Sequence, residues 1–71
     1  MEYQDKYDQL VKLLTEEVEI EGAKFNLKKD FEKFFVNSNR TAGTRIRKVM
    51  QEVKKLAQEV RTDVQDYKGN L

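Results

Sequence analysis

The chain has 71 residues, with 14 lysines and arginines against 13 aspartates and glutamates, and it contains no cysteine, histidine or proline. A chain of this length makes one domain, residues 1–71, that buries only about 60% of the surface its unfolded form exposes. Without cysteine or histidine there is no disulfide, thiol nucleophile, imidazole base or soft metal ligand. Catalysis, a bound metal, a cofactor and a small-molecule substrate are therefore not expected, and self-association is the remaining way to stabilise a thin core.

The net charge of +1 hides a polarity along the chain. Residues 1–36 carry six cations and nine anions, a net −3, and residues 37–71 carry eight and four, a net +4. No apolar run approaches the roughly 18 residues of a membrane span or the 7–15 of a signal peptide, so a cytoplasmic protein with no membrane partner is expected.

In chain order, Tyr3, Tyr7, Leu10, Val11, Leu14 and Val18 recur at three- and four-residue steps, which predicts a helix over about residues 2–20 that Gly22 ends or bends. Leu27, Phe31, Phe34 and Phe35 form a second stripe behind Asn26, a suitable N-cap, and predict a helix over about 26–36. The polar run Asn37-Ser38-Asn39-Arg40 reads as a turn followed by the cap of the next helix. That last helix, about 41–68, is the most regular segment. The absence of proline and the scarcity of glycine make the predicted fold all-α. It is an antiparallel helical hairpin with the first arm bent at Gly22, expected to dimerise or assemble further into a helical bundle.

With Ile46 at heptad position a, the last helix places Ile46, Val53, Val60 and Tyr67 at a, Val49, Leu56 and Asp63 at d, and Met50, Ala57 and Val64 at e. Asp63 interrupts the seam once. Three apolar positions in seven suit a helix with neighbours on two sides better than a two-stranded coiled coil.

The same register sorts the charges. Position b holds Arg40, Arg47, Lys54, Arg61 and Lys68, position c adds Lys48 and Lys55, and position f between them is Gln51, Gln58 and Gln65. The helix's acids lie elsewhere, with Glu52, Glu59 and Asp66 at g beside Arg45 and Asp63 at d. At 100° per residue, b, f and c span an arc of about 100° turned away from the apolar stripe. Such a strip of cations and amides fits a nucleic-acid backbone, arginine adding a flat fork suited to phosphate. Lysine- and glutamine-rich outer faces also serve solubility alone, and the acids at g could pair with Lys24, Lys28, Lys29 or Lys33 of the other arm.

The junction from Asn37 to Lys48 offers a second feature, a helix N-terminus with its unpaired N–H groups among Arg40, Thr41, Gly43, Thr44, Arg45, Arg47 and Lys48. Gly43 costs a helix about 1 kcal/mol relative to alanine. Either a phosphate comes close to the backbone there, or Phe34 or Phe35 of the facing helix packs against it.

From Asp30-Phe31-Glu32-Lys33 through Asn39-Arg40-Thr41-Ala42-Gly43-Thr44-Arg45-Ile46-Arg47-Lys48 and on through Gln51 to Arg61, nearly half the chain resembles bacterial histone-like proteins of the chlamydial linker-histone type. Those proteins have a similar turn, roughly Gly-Asn-Lys-Ala-Ala-Gly-Thr-Arg-Ala-Arg-Lys, followed by a basic amphipathic helix. The resemblance implies a nucleoid protein that binds DNA with little sequence preference. It makes Arg40, Thr41, Gly43, Thr44, Arg45, Arg47 and Lys48 the DNA-contacting positions, with Lys54, Lys55 and Arg61 extending the track. The family's long Lys- and Ala-rich tail has no counterpart in these residues, so strong compaction is not expected. The acidic first 25 residues fall outside the resemblance and read as an arm that makes dimers or shields the basic face. The competing expectation is a helical protein-interaction or assembly module that binds no nucleic acid.

Overall fold

A computed structural model describes residues 3–68 as helix α1 (Tyr3–Thr15), strands β1 (Glu17–Ile20) and β2 (Ala23–Asn26), helix α2 (Leu27–Phe35) and helix α3 (Arg40–Lys68). The fold is mostly helical but not all-α. An antiparallel β-hairpin stands where a bent helical arm was expected, and it separates two short helices that each pack on α3.

The hairpin has a clear electrostatic and steric cause. In a continued helix Glu16 and Glu19, and Glu17 and Glu21, would be like-charged neighbours at three- and four-residue spacing. In the hairpin Glu19 lies opposite Lys24, an attractive cross-strand pair, and Val18 lies opposite Phe25. Glu21 and Gly22 form the two-residue connection with φ of 51° and 81°, the doubly left-handed geometry whose twist matches paired strands. Gly22 thus reverses the chain rather than bending a helix. Alternation does the rest, because Val18, Ile20 and Phe25 turn inward while Glu17, Glu19 and Lys24 face solvent.

Asn26 leaves the strand and caps α2, its side-chain oxygen accepting the Lys29 N–H at 3.0 Å. After α2 the chain turns through Ser38 in the left-handed region, φ 56°. The Asn39 side chain then accepts the Ala42 N–H at 3.1 Å and starts α3.

The 29 residues of α3 extend about 43 Å at 1.5 Å per residue and form the spine of a molecule measuring 49 × 19 × 15 Å. Its buried residues Ala42, Val49 and Leu56 recur every seventh position. Val49, fully buried, meets Ile20, Phe25 and Leu27, with Leu13, Val18, Ile46 and Val53 packed around them. The core therefore sits where the hairpin packs on the N-terminal third of the spine, around Arg45, Lys48 and Val49. Asp63 continues the Ala42–Val49–Leu56 series by one heptad, and there Lys6 of α1 donates to its carboxylate at 2.6 Å. A charge at that seam position is matched by a charge on the helix that covers it.

Candidate nucleic-acid interface

Along α3 the side chains of Arg40, Arg47, Lys54 and Arg61 are exposed at seven-residue intervals, with Lys55 and Gln51 and Gln58 exposed beside them. Among the described residues no ion pair involves Arg40, Arg47, Lys54, Lys55 or Arg61. Two acids of α3 lie against α1, where Lys6 sits 2.6 Å from Asp63 and 4.0 Å from Glu59. It is this N-terminal lysine, not those of α2, that meets them. The hydrogen bond to Asp63, reinforced by the charges of Asp63 and Glu59, raises the Lys6 pKa above its ordinary value against a smaller opposing effect of burial. The basic row and these two acids thus lie on different faces of α3.

Arg45 belongs elsewhere. Its Nε donates to both carboxylate oxygens of Asp30, at 3.3 and 3.2 Å, its Nη2 donates to the Lys24 carbonyl, and its guanidinium lies 4.4 Å over the Phe25 ring. Asp30 is 3% exposed, so Arg45 is the counter-charge of a buried carboxylate and fastens α2 and the hairpin to the spine. Lys48 also turns to the hairpin, donating from a half-buried position to the exposed Glu21 at 2.9 Å. A surface pair of this kind is weak and screened by salt, so Lys48 remains exchangeable.

Of the remaining junction residues, Thr41 is exposed, and the Thr44 hydroxyl donates back to the Arg40 carbonyl at 3.5 Å. Gly43 has a packing cause: a Cβ built there would lie 2.6 Å from Phe34 Cε1. Phe34 and Phe35, with Gly43 and Ile46, line a groove of about 290 Å³ together with Arg40, Thr44 and Arg47. Packing of Phe34 against Gly43 is one of the two causes the sequence offers for this glycine, but the sequence does not place the phenylalanines beside Arg40 and Arg47. Helical spacing does signal exposed rings, since Phe31, Phe34 and Phe35 outnumber the positions α2 can bury against one neighbour.

Among the described residues no group of three or more acidic residues, with histidine and cysteine absent, could hold a metal, and no helix is long and apolar enough to cross a membrane. The arrangement can attract a polyanion through fixed, unpaired cations, and it offers an aromatic surface next to two of them.

The scaffold thus displays a cationic row along its longest helix. Residues 4–70 match the family model described as histone H1-like protein Hc1. The chain belongs to that histone-like family, whose general role is DNA binding in the nucleoid. No curated protein and no solved structure matches it.

Proposed function

We propose that this chain is an architectural, largely sequence-nonspecific DNA-binding protein of the cytoplasmic nucleoid that holds duplex phosphates along the outer face of α3. One observation carries the reading: Arg40, Arg47, Lys54 and Arg61 form an exposed row that no carboxylate among the described residues neutralises. Phosphate contacts fix position without reading sequence, so affinity should vary little between unrelated duplexes. Thr41, Thr44, Lys48 and Lys55 flank the row and add contacts, Lys48 after releasing Glu21. Gly43 and Arg45 act on the interface indirectly, Gly43 by seating Phe34 and Arg45 by fixing α2. The test is a competition titration at low salt between two duplexes of unrelated sequence. Affinities within a few-fold of each other support the reading, and binding to neither duplex refutes it.

Self-association is part of the proposal. Tyr7, Val11 and Leu14 of α1 are 65%, 39% and 47% exposed, and Val64 of α3 is 51% exposed. At about 100° per residue Tyr7, Val11 and Leu14 share one exposed face of α1. An apolar stripe on a chain with so small a core fits a second copy of itself. Sedimentation equilibrium should show a dimer that Val11→Lys with Leu14→Lys dissociates. A wild-type monomer at all concentrations would remove this part of the proposal and favour a different protein on that face.

A further inference from the structure

The aromatic cluster at the end of α2 is far more exposed than a structural cluster needs to be. Phe31 is 43% exposed, Phe34 37%, Phe35 68% and the following Val36 73%. Phe34 is seated by Gly43 of α3, and Phe35 stands edge-on to Phe34 with centroids 4.9 Å apart at 89°. Phe31 braces Phe35 from another direction at 5.4 Å. The most exposed ring is therefore also a supported one, held against two neighbours rather than free on the surface.

Its surroundings select a ligand. The groove it lines is shared with Phe34, Gly43 and Ile46, and Arg40, Thr44 and Arg47 complete the lining, which contains no carboxylate. A partner that satisfies both parts must present a planar apolar body with anionic groups beside it. Nucleic acid does so at every residue, and the two arginines of the lining belong to the row already assigned to phosphates.

Resting on that DNA-binding reading, we propose that Phe35 is a stacking wedge that enters a base step of the bound duplex while Arg40 and Arg47 hold the adjoining phosphates. An apolar side chain placed between base pairs unstacks them and kinks the duplex, and aromatic stacking tolerates any sequence because every base has a π-face. The chain then deforms DNA as well as coating it.

The test is relaxation of closed circular DNA by a topoisomerase in the presence of the protein, where insertion appears as a change in linking number once the protein is removed. The wild-type chain shifts the topoisomer distribution, Phe35→Trp retains the shift with quenched tryptophan fluorescence, and Phe35→Ala loses it. Because unstacking offsets much of the stacking gain, Phe35→Ala lowers duplex affinity by less than about tenfold. It also keeps the wild-type salt dependence and far-UV circular dichroism. Equal shifts from Phe35→Ala and wild type overturn the wedge, as does a wild-type protein that binds with the expected salt dependence yet leaves linking number unchanged. Dissociation of a wild-type dimer by Phe35→Ala also overturns it, because the cluster would then be a contact between copies. Absence of any duplex binding is a separate result, which overturns the DNA-binding reading itself.

Discussion

Arg45 lies with its guanidinium 4.4 Å over the ring of Phe25, so a cation from the basic half of the sequence is turned inward onto the β-hairpin. The same side chain neutralises Asp30, whose carboxylate is 3% exposed. Its contribution is to stability, and its charge is not part of the outward row.

Removing one partner of this pair leaves the other without compensation. Asp30→Ala and Arg45→Gln should each lower unfolding free energy by about 1–3 kcal/mol, below the 3–5 typical of fully buried pairs because the Arg45 side chain is partly open to water. Chemical denaturation measures this. The dependence of DNA affinity on salt should be unchanged for whatever fraction stays folded, whereas a reduced slope for Arg45→Gln would return Arg45 to the interface.

Gly43→Ala sets two effects against each other. Alanine improves helix propensity by about 1 kcal/mol, but its Cβ would fall 2.6 Å from the Phe34 ring, and overpacking costs typically 1–3 kcal/mol. A net loss of about 1 kcal/mol is expected by thermal unfolding. Replacing Phe34 by Leu in the same chain should recover it, and a plain stabilisation by Gly43→Ala would show that the ring yields freely.

The Lys6 site makes stability sensitive to alkali. Its folded pKa is raised above 10.5, chiefly by the hydrogen bond to Asp63. The stabilisation it gives is complete below 10.5, the unfolded value, and disappears as pH climbs through the higher folded value. Amide exchange in α1 should accelerate across that alkaline window in the wild type, and Lys6→Met should remove the step. Loss of the same protection near neutral pH would assign it to another group.

The spine was the legible part of the sequence. Its apolar seam repeats over four heptads, so period alone locates the face that Ala42, Val49 and Leu56 bury, and the caps at Asn26 and Asn39 follow from side-chain chemistry. The hairpin was not read, because two four-residue strands are too short for period to stand out. Val18 also falls on the helical spacing of Tyr7, Leu10, Val11 and Leu14, which extends the helix pattern into a strand. The informative signal was the alternation Glu17-Val18-Glu19-Ile20 before Glu21-Gly22. The inward pairing of Arg45 was hidden for a different reason. The heptad register already set it at g, apart from the row at b, but a register within one helix does not say which neighbour covers each flank. The packing of α2 and the hairpin decides that, through a pair separated by 15 residues in sequence.

The central claim is that the row on α3 binds phosphate, and salt titration of duplex affinity tests it most directly. If Arg40, Arg47, Lys48, Lys54, Lys55 and Arg61 each neutralise a phosphate, log affinity should fall with log salt at a slope near −5.4, at about −0.9 per phosphate. Changing Arg40, Arg47, Lys54 and Arg61 together to Gln should reduce that slope to about −1.8, the share of Lys48 and Lys55, with helicity intact. An unchanged slope in the quadruple variant would contradict the claim, because the phosphates would then be held somewhere other than on this helix.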